Sequence, residues 1–258
     1  MATAKQSFSV GVLAGLSLAF LMSGLVPLLA GSSSTSKPGD DGKATQDKKG
    51  EEGEASVILA LIRKRRSVFP KDYTGKQVDA SKLNAILEAC RHAPSHKMTE
   101  PWFYHVFSGL GKDRLGAFLA ELYRVEAKDS FSAKKFQAKI DNMTRSSHCV
   151  AIIVDRKANA KVPEWEEVCS VACSVHNMHL TATALGVGMY WSSSGVIFEE
   201  EGRDDRRVNN PPALKTFLGL SDTAFCMGWL FVGDVEPGKW PPTGKRKEIC
   251  EKVQFHSE

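Results

Sequence analysis

Two uninterrupted apolar runs, residues 149–154 (CVAIIV) and 225–232 (FCMGWLFV), constrain the fold of this sequence more than any other feature. A strand buried on both faces reads as a continuous hydrophobic run, not as an alternation. Polar residues bound each run, and helical patterns surround both. Residues 102–107 (WFYHVF) are aromatic and β-rich, which predicts another strand, and Gly188 begins one that runs to Trp191. Ser56 is placed to cap a helix through Val57, Leu59, Leu61 and Ile62, and Ser81 to cap a second through Leu83, Ile86, Leu87 and Cys90. Residues 112–128 and 131–145 carry the charged amphipathic pattern of surface helices. Pro163 opens a long helix that reaches Leu185, with Gly186 as its stop. Helices interleaved with a few buried strands predict a mixed sheet covered by helices.

The first 55 residues do not share this pattern. Residues 8–30 (FSVGVLAGLSLAFLMSGLVPLLA) contain no charge and are long enough to span a bilayer as a helix. A retained single-pass anchor is the favoured reading of residues 1–30. A cleaved secretory signal processed near Ala30 and an organelle-targeting sequence are the alternatives. Lys5 alone does not set an orientation. Residues 31–55 have no aromatic and almost no branched aliphatic side chain, so they are expected to form a disordered linker. Residues 56–258 then form one domain, large enough to bury a core.

Composition excludes little. The net charge of +4, from 34 basic and 30 acidic residues, is too small to imply a nucleic-acid partner. The six cysteines include no C-x-x-C pair. Cys169 and Cys173, four apart on one helix, read as small core hydrophobes. Cys149 and Cys226 sit inside the buried runs. There is no G-x-G-x-x-G, no phosphate loop with a terminal Lys, no H-E-x-x-H and no G-x-S-x-G. Residues 199–210 are dense in charge and predict an exposed loop.

Three segments remain as candidates for chemistry. Residues 63–67 (RKRRS) end the first domain helix. Arginines there suit bidentate phosphate binding, while a solvated basic face or compensation of the helix dipole is the ordinary alternative. Residues 92–102 (HAPSHKMTEPW) crowd donors and two prolines between a helix and a strand. Residues 186–195 (GVGMYWSSSG) offer small residues that let a planar ring approach the backbone, although Trp191 by itself is an ordinary core or interface aromatic.

In this order, R-R-S, A-P-S-H-x-x-x-x-P-W and G-x-G-x-x-W-S-S resemble the FMN-dependent nitroreductase family, most nearly its small bacterial NAD(P)H-using branch. Residues 161–166 (KVPEWE) are similar to that branch as well, and the resemblance covers roughly residues 58–235. It implies an α+β fold with a mixed, mostly antiparallel sheet in three αβα layers, and a homodimer with FMN at the interface. It implies that Arg65, Arg66 and Ser67 hold the phosphate and ribityl chain. His92 and His96 match loop positions near the flavin, contributed across the dimer. Trp191, Ser192 and Ser193 match the segment beside the isoalloxazine ring, and Thr181 falls near a nicotinamide-contacting position. In similar family members a basic residue of the tail, here Lys245 or Arg246, meets the phosphate. NADH or NADPH would be the reductant and a small molecule the acceptor, with no acid, base or nucleophile required of the protein. Glu100, where a Gln is frequent before Pro-Trp, the loop at 199–210 and the N-terminal apolar run depart from the bacterial pattern. Within the family, Thr99-Glu100-Pro101-Trp102 also fits a membrane-anchored reductive dehalogenase like iodotyrosine deiodinase, although no lid carrying its Glu, Tyr and Lys is visible. A non-catalytic FMN-binding protein is the remaining alternative.

Overall fold

Strand β2, His148–Asp155, alternates its side chains between two cores. Cys149, Ala151 and Ile153 enter one, and Val150, Ile152 and Val154 the other. That division explains why the run is apolar without interruption: neither face meets water. The computed structural model describes residues 41–156, 161–194 and 210–257. The chain divides into two units, Met1–Gln46 and Asp47–Glu258, and the sheet with the helices packed on it belongs to the second.

Strands β1 (Trp102–Phe107), β2, β3 (Val187–Ser192) and β4 (Ala224–Asp234) form one sheet in the order β1-β2-β4-β3. All three pairings are antiparallel, so the sheet of the described residues is antiparallel and not mixed. Helices cover both faces, as a three-layer αβα arrangement requires. Leu115, Leu119 and Leu122 of α3 (Gly109–Ala127), Met143 of α4 (Ala133–Arg145) and Leu214 and Leu218 of α6 (Pro212–Leu218) fill the first core. Ile86 of α2 (Ala80–Glu88) and Val171, Val175 and Met178 of α5 (Glu164–Ala184) fill the second.

The register breaks once. Ile152 faces Gly228, but Ile153 faces Cys226, so Met227 is an extra residue in β4. A bulge of this kind inverts the parity of the strand beyond it. Ala224 and Cys226 enter the first core before it, and Trp229 and Phe231 after it. Gly228 has φ +138, and a Cβ there would lie 2.4 Å from the Ser192 carbonyl oxygen, so the bulge needs glycine.

Local differences from the sequence-based expectations have local causes. Helix α1 runs Asp41–Lys64, so residues 41–55 are helical and Ser56 is no cap. That stretch carries Lys and Glu, good helix formers, beside three glycines, and a reading by polarity alone assigns it to a linker. The cap of α2 is Asp79, whose carboxylate accepts from the Ser81 amide at 2.7 Å. Cys169 and Cys173 are exposed, not core. On α5 the buried phase is carried by Ser170, Val171, Ser174, Val175, Met178 and His179, which turns the two thiols outward. The expected loop at residues 199–210 falls almost wholly outside the described residues, as do the apolar run at 8–30 and Gly195. Among the described residues no helix is long and apolar enough to cross a membrane.

Candidate functional site

The chain leaving α1 crosses the edge of the sheet at once. The Val68 amide donates to the Met189 carbonyl at 3.0 Å, which fixes Arg65, Arg66 and Ser67 beside β3. Further on, the Tyr73 hydroxyl donates to the Phe231 carbonyl at 3.0 Å and Thr74 binds the Asp234 carboxylate at 2.6 Å. The Tyr73 ring lies where side chains of Gly188 and Gly233 would be, with Cβ approaches of 2.7 and 2.2 Å. The absent side chain at Gly188 therefore admits a ring of the chain itself, where the sequence suggested a bound one.

The C-terminal segment folds back onto the same corner. Trp240 Nε1 donates to the Lys64 carbonyl at 3.0 Å, and Arg66 Nε donates to the Pro242 carbonyl at 2.8 Å. Arg66 also donates to the Arg65 carbonyl. Arg246 lies close enough to act on Arg65: burial first, then Arg66 and Arg246, pull the Arg65 guanidinium below its ordinary value. Among the described residues no carboxylate pairs with Arg65, Arg66 or Arg246. Three cations held together without a counter-ion repel one another, and an anion with several acceptor oxygens would relieve that repulsion. A phosphate monoester fits that donor set. Ser67 is exposed at its edge.

The turn after β3 is held as firmly. Trp191 Nε1 donates to the Met227 carbonyl at 3.4 Å, Trp229 Nε1 donates to the Ser194 carbonyl at 3.1 Å, and the Ser194 amide donates to Ser192 Oγ at 3.2 Å. These bonds leave Trp191 and Ser192 half-buried and Ser193 exposed, next in the chain to the strand that anchors the arginines.

The histidines lie elsewhere. His92 ends a 3-10 turn, exposed, with Glu88 at 3.7 Å as its ionic neighbour. His96 starts another and is bonded to Glu166 in the first turn of α5. That loop stores backbone strain, since Lys97, Met98 and Glu100 all have positive φ. With Pro94, Trp165, Cys169 and Cys173 it lines an open groove of about 440 Å³. Near the opposite end of α5, Thr181 spends its hydroxyl on the Asn177 carbonyl at 3.0 Å. Glu166 and His179 are about 20 Å apart along the helix at 1.5 Å per residue. Because His179 feels the charge of Arg65, the structure brings the arginines and the Trp191 turn to one end of α5 and His96 to the other.

His179 was not singled out by the sequence. Its place in the buried phase of α5, one position after Met178, is the signal that would have found it. Burial first, then Arg65 and His176, pushes its imidazole down to about 4 from 6.5. Between those values the unfolded chain takes up a proton that the folded chain refuses. Stability is therefore complete above pH 6.5 and falls as the pH drops toward 4, by up to about 3 kcal/mol. His179→Gln is expected to flatten this loss in urea-unfolding midpoints taken across the window, and an unchanged slope would show that His179 does not carry it.

An α+β fold in three layers, with Arg65, Arg66 and Ser67 beside its edge strand, defines the class. The chain belongs to the nitroreductase family, whose sequence model matches residues 62–234. It is 28% identical over 178 residues to YdjA of Escherichia coli (strain K12), which bears an NAD(P)H nitroreductase name, covering 68% of this chain and 86% of that one. Its fold is similar to the FMN-dependent nitroreductase NfnB of Mycobacterium smegmatis, solved in complex with NADPH, with a TM-score of 0.58, 16% identity and coverage of 79% and 99% of the two chains. A nitroreductase with bound FMN from Bacteroides fragilis gives 0.54, 24% identity and coverage of 78% and 98%. At these identities the two structures speak for the fold alone.

Proposed function

We propose that the protein is an FMN-dependent oxidoreductase, passing electrons from NADH or NADPH to a nitroaromatic, quinone-like or similar small acceptor. The observation that carries this reading is the corner of Arg65, Arg66 and Arg246, unpaired among the described residues and closed by the C-terminal segment. Bound FMN would supply the hydride and electron chemistry. The chain's own residues would hold the phosphate through the three guanidinia and fix the ring beside Trp191, Ser192 and Ser193. The names and bound ligands of the relatives point the same way.

The separation along α5 supports a homodimer. His96, bonded to Glu166, lies at the opposite end of α5 from the arginine corner of its own chain, and in the proposed dimer the second copy would supply its histidine loop to that corner. Helix α1 supports the same assembly, because Val57 and Ile58 remain 69% and 57% exposed in one protomer. Residues 8–30, charge-free and long enough to span a bilayer, support attachment to a membrane as part of this proposal.

The purified protein is expected to show a bound-flavin absorption spectrum that bleaches when NADH or NADPH is added anaerobically. Flavin that binds but does not bleach would point to a binding protein. A colourless protein that takes up no added FMN would remove the cofactor from the account.

A further inference from the structure

From Val168 to its end at Ala184, helix α5 carries no Asp, Glu, Lys or Arg on any face. One side of it nevertheless lies outside the core. Trp165 is 66% exposed, Cys169, Cys173 and His176 are exposed, and Ala172 and Leu180 are half-buried. At about 100° per residue these positions fall within an arc of about 100°, so they form one stripe along about four turns. A helix face left in water is normally polar and charged, as α4 is with Lys134, Lys135, Lys139 and Arg145. An uncharged stripe headed by an exposed indole marks a surface that another protein covers. Trp165, Cys169 and Cys173 also line the open groove beside the His96 loop, so the stripe continues into a concave surface.

The occupant follows from the two halves of the candidate site. Glu166 holds His96 near one end of α5, and His179, which feels the charge of Arg65, stands near the other. A two-fold axis that carries the histidine loop of one chain to the arginine corner of its partner exchanges these two levels. It therefore crosses α5 midway between them, level with Ala172 and Cys173, and sets the two copies of α5 antiparallel. The stripe is self-complementary about that point. Trp165 comes level with the partner's Leu180, and Cys169 with the partner's His176. We infer that the outer stripe of α5 is the surface on which a second copy of this chain docks, with Cys173 at the two-fold axis facing the partner's Cys173. The inference rests on the homodimer reading above and names the surface that makes the dimer. Packed helix axes lie about 8–10 Å apart and each Cα about 2.3 Å from its axis, so the two Cys173 Cα atoms would approach to about 4–6 Å. Docking there takes the Trp165 indole out of water and covers the groove with an uncharged surface of the same kind.

The test treats the flavin-loaded full chain with a short bismaleimide, each end of which adds one thiol, and reads the products by denaturing electrophoresis and peptide mass spectrometry. At dilute protein a covalent dimer joined through Cys173 is expected, lost in Cys173→Ser and kept in Cys169→Ser. Cys173→Arg brings two like charges together at the axis and is expected to weaken the dimer at least about 100-fold by light scattering. Its circular dichroism should match that of the unmodified chain, because Cys173 is exposed in one protomer. A covalent dimer that persists in Cys173→Ser would overturn the inference and leave the homodimer reading in place. So would a folded Cys173→Arg variant as dimeric as the unmodified chain. An unmodified chain that is monomeric with its flavin bound would remove both.

Discussion

Arg156→Ala is expected to lower the unfolding free energy by about 3–5 kcal/mol, the usual loss when a buried ion pair is broken from one side. Arg156 follows β2 directly. Its Nε donates to Glu167 at 2.5 Å, its Nη1 to Glu164 at 3.0 Å and its Nη2 to the Val162 carbonyl at 3.0 Å. Its own carbonyl accepts from the Thr223 hydroxyl at 2.6 Å. Glu167 is only 2% exposed, so removing the guanidinium leaves a carboxylate in the protein interior with no cation. Both glutamates stand in the first turn of α5, where they also complement the helix dipole. The paired replacement Arg156→Met with Glu167→Leu should recover much of the loss, since neither charge then remains buried alone. Denaturant unfolding of the two variants decides the matter. A single variant that loses less than about 1 kcal/mol would show the pair to be solvated in solution.

The second large effect concerns the arginine corner. Replacing Arg65 and Arg66 together by glutamine is expected to weaken FMN binding at least about 100-fold, because each guanidinium contributes a hydrogen bond between charged partners. Stability of the flavin-free chain should change by only about 1 kcal/mol. The substitution removes the Arg66–Pro242 bond but also relieves repulsion among three like charges. Quenching of flavin fluorescence on titration reads the affinity. Unaltered affinity in a folded double variant would place the phosphate elsewhere.

Most of the secondary structure was legible because its signals are local. The runs at 149–154 and 225–232 became β2 and β4, WFYHVF became β1, and Pro163 and Gly186 bracket α5 with Gly186 at φ +70. What the sequence hid depends on partners distant in the chain. Nothing near Gly188 foretells that Tyr73 will fill the space above it. The outward turn of Cys169 and Cys173 depends on the rotational phase of α5, which two cysteines cannot set.

The candidate site divides in the same way. Arg65, Arg66 and Ser67 stand out as a basic cluster after a helix, but their meaning there was balanced against a plain solvated face. Arg246 entered only through resemblance, since 180 residues separate it from Arg66. The fold-back through Trp240 and Pro242 is what puts it near Arg65. His92 and His96 entered through the same resemblance, as a loop contributed across the dimer, and within one chain His96 is tied through Glu166 to the first turn of α5.

The extra residue in β4 makes length a fixed quantity at a point that looks like an irregularity. A surface loop generally absorbs the gain or loss of a residue, because its neighbours keep their orientation. At Met227 the opposite holds. Removing that residue would leave a strand of regular appearance whose later half had exchanged sides. Trp229 and Phe231 would point toward α5, and Leu230 and Val232 toward α3. Side-chain identity along β4 can therefore change at constant length, whereas the number of residues between Cys226 and Trp229 cannot change without turning the later half of the strand over.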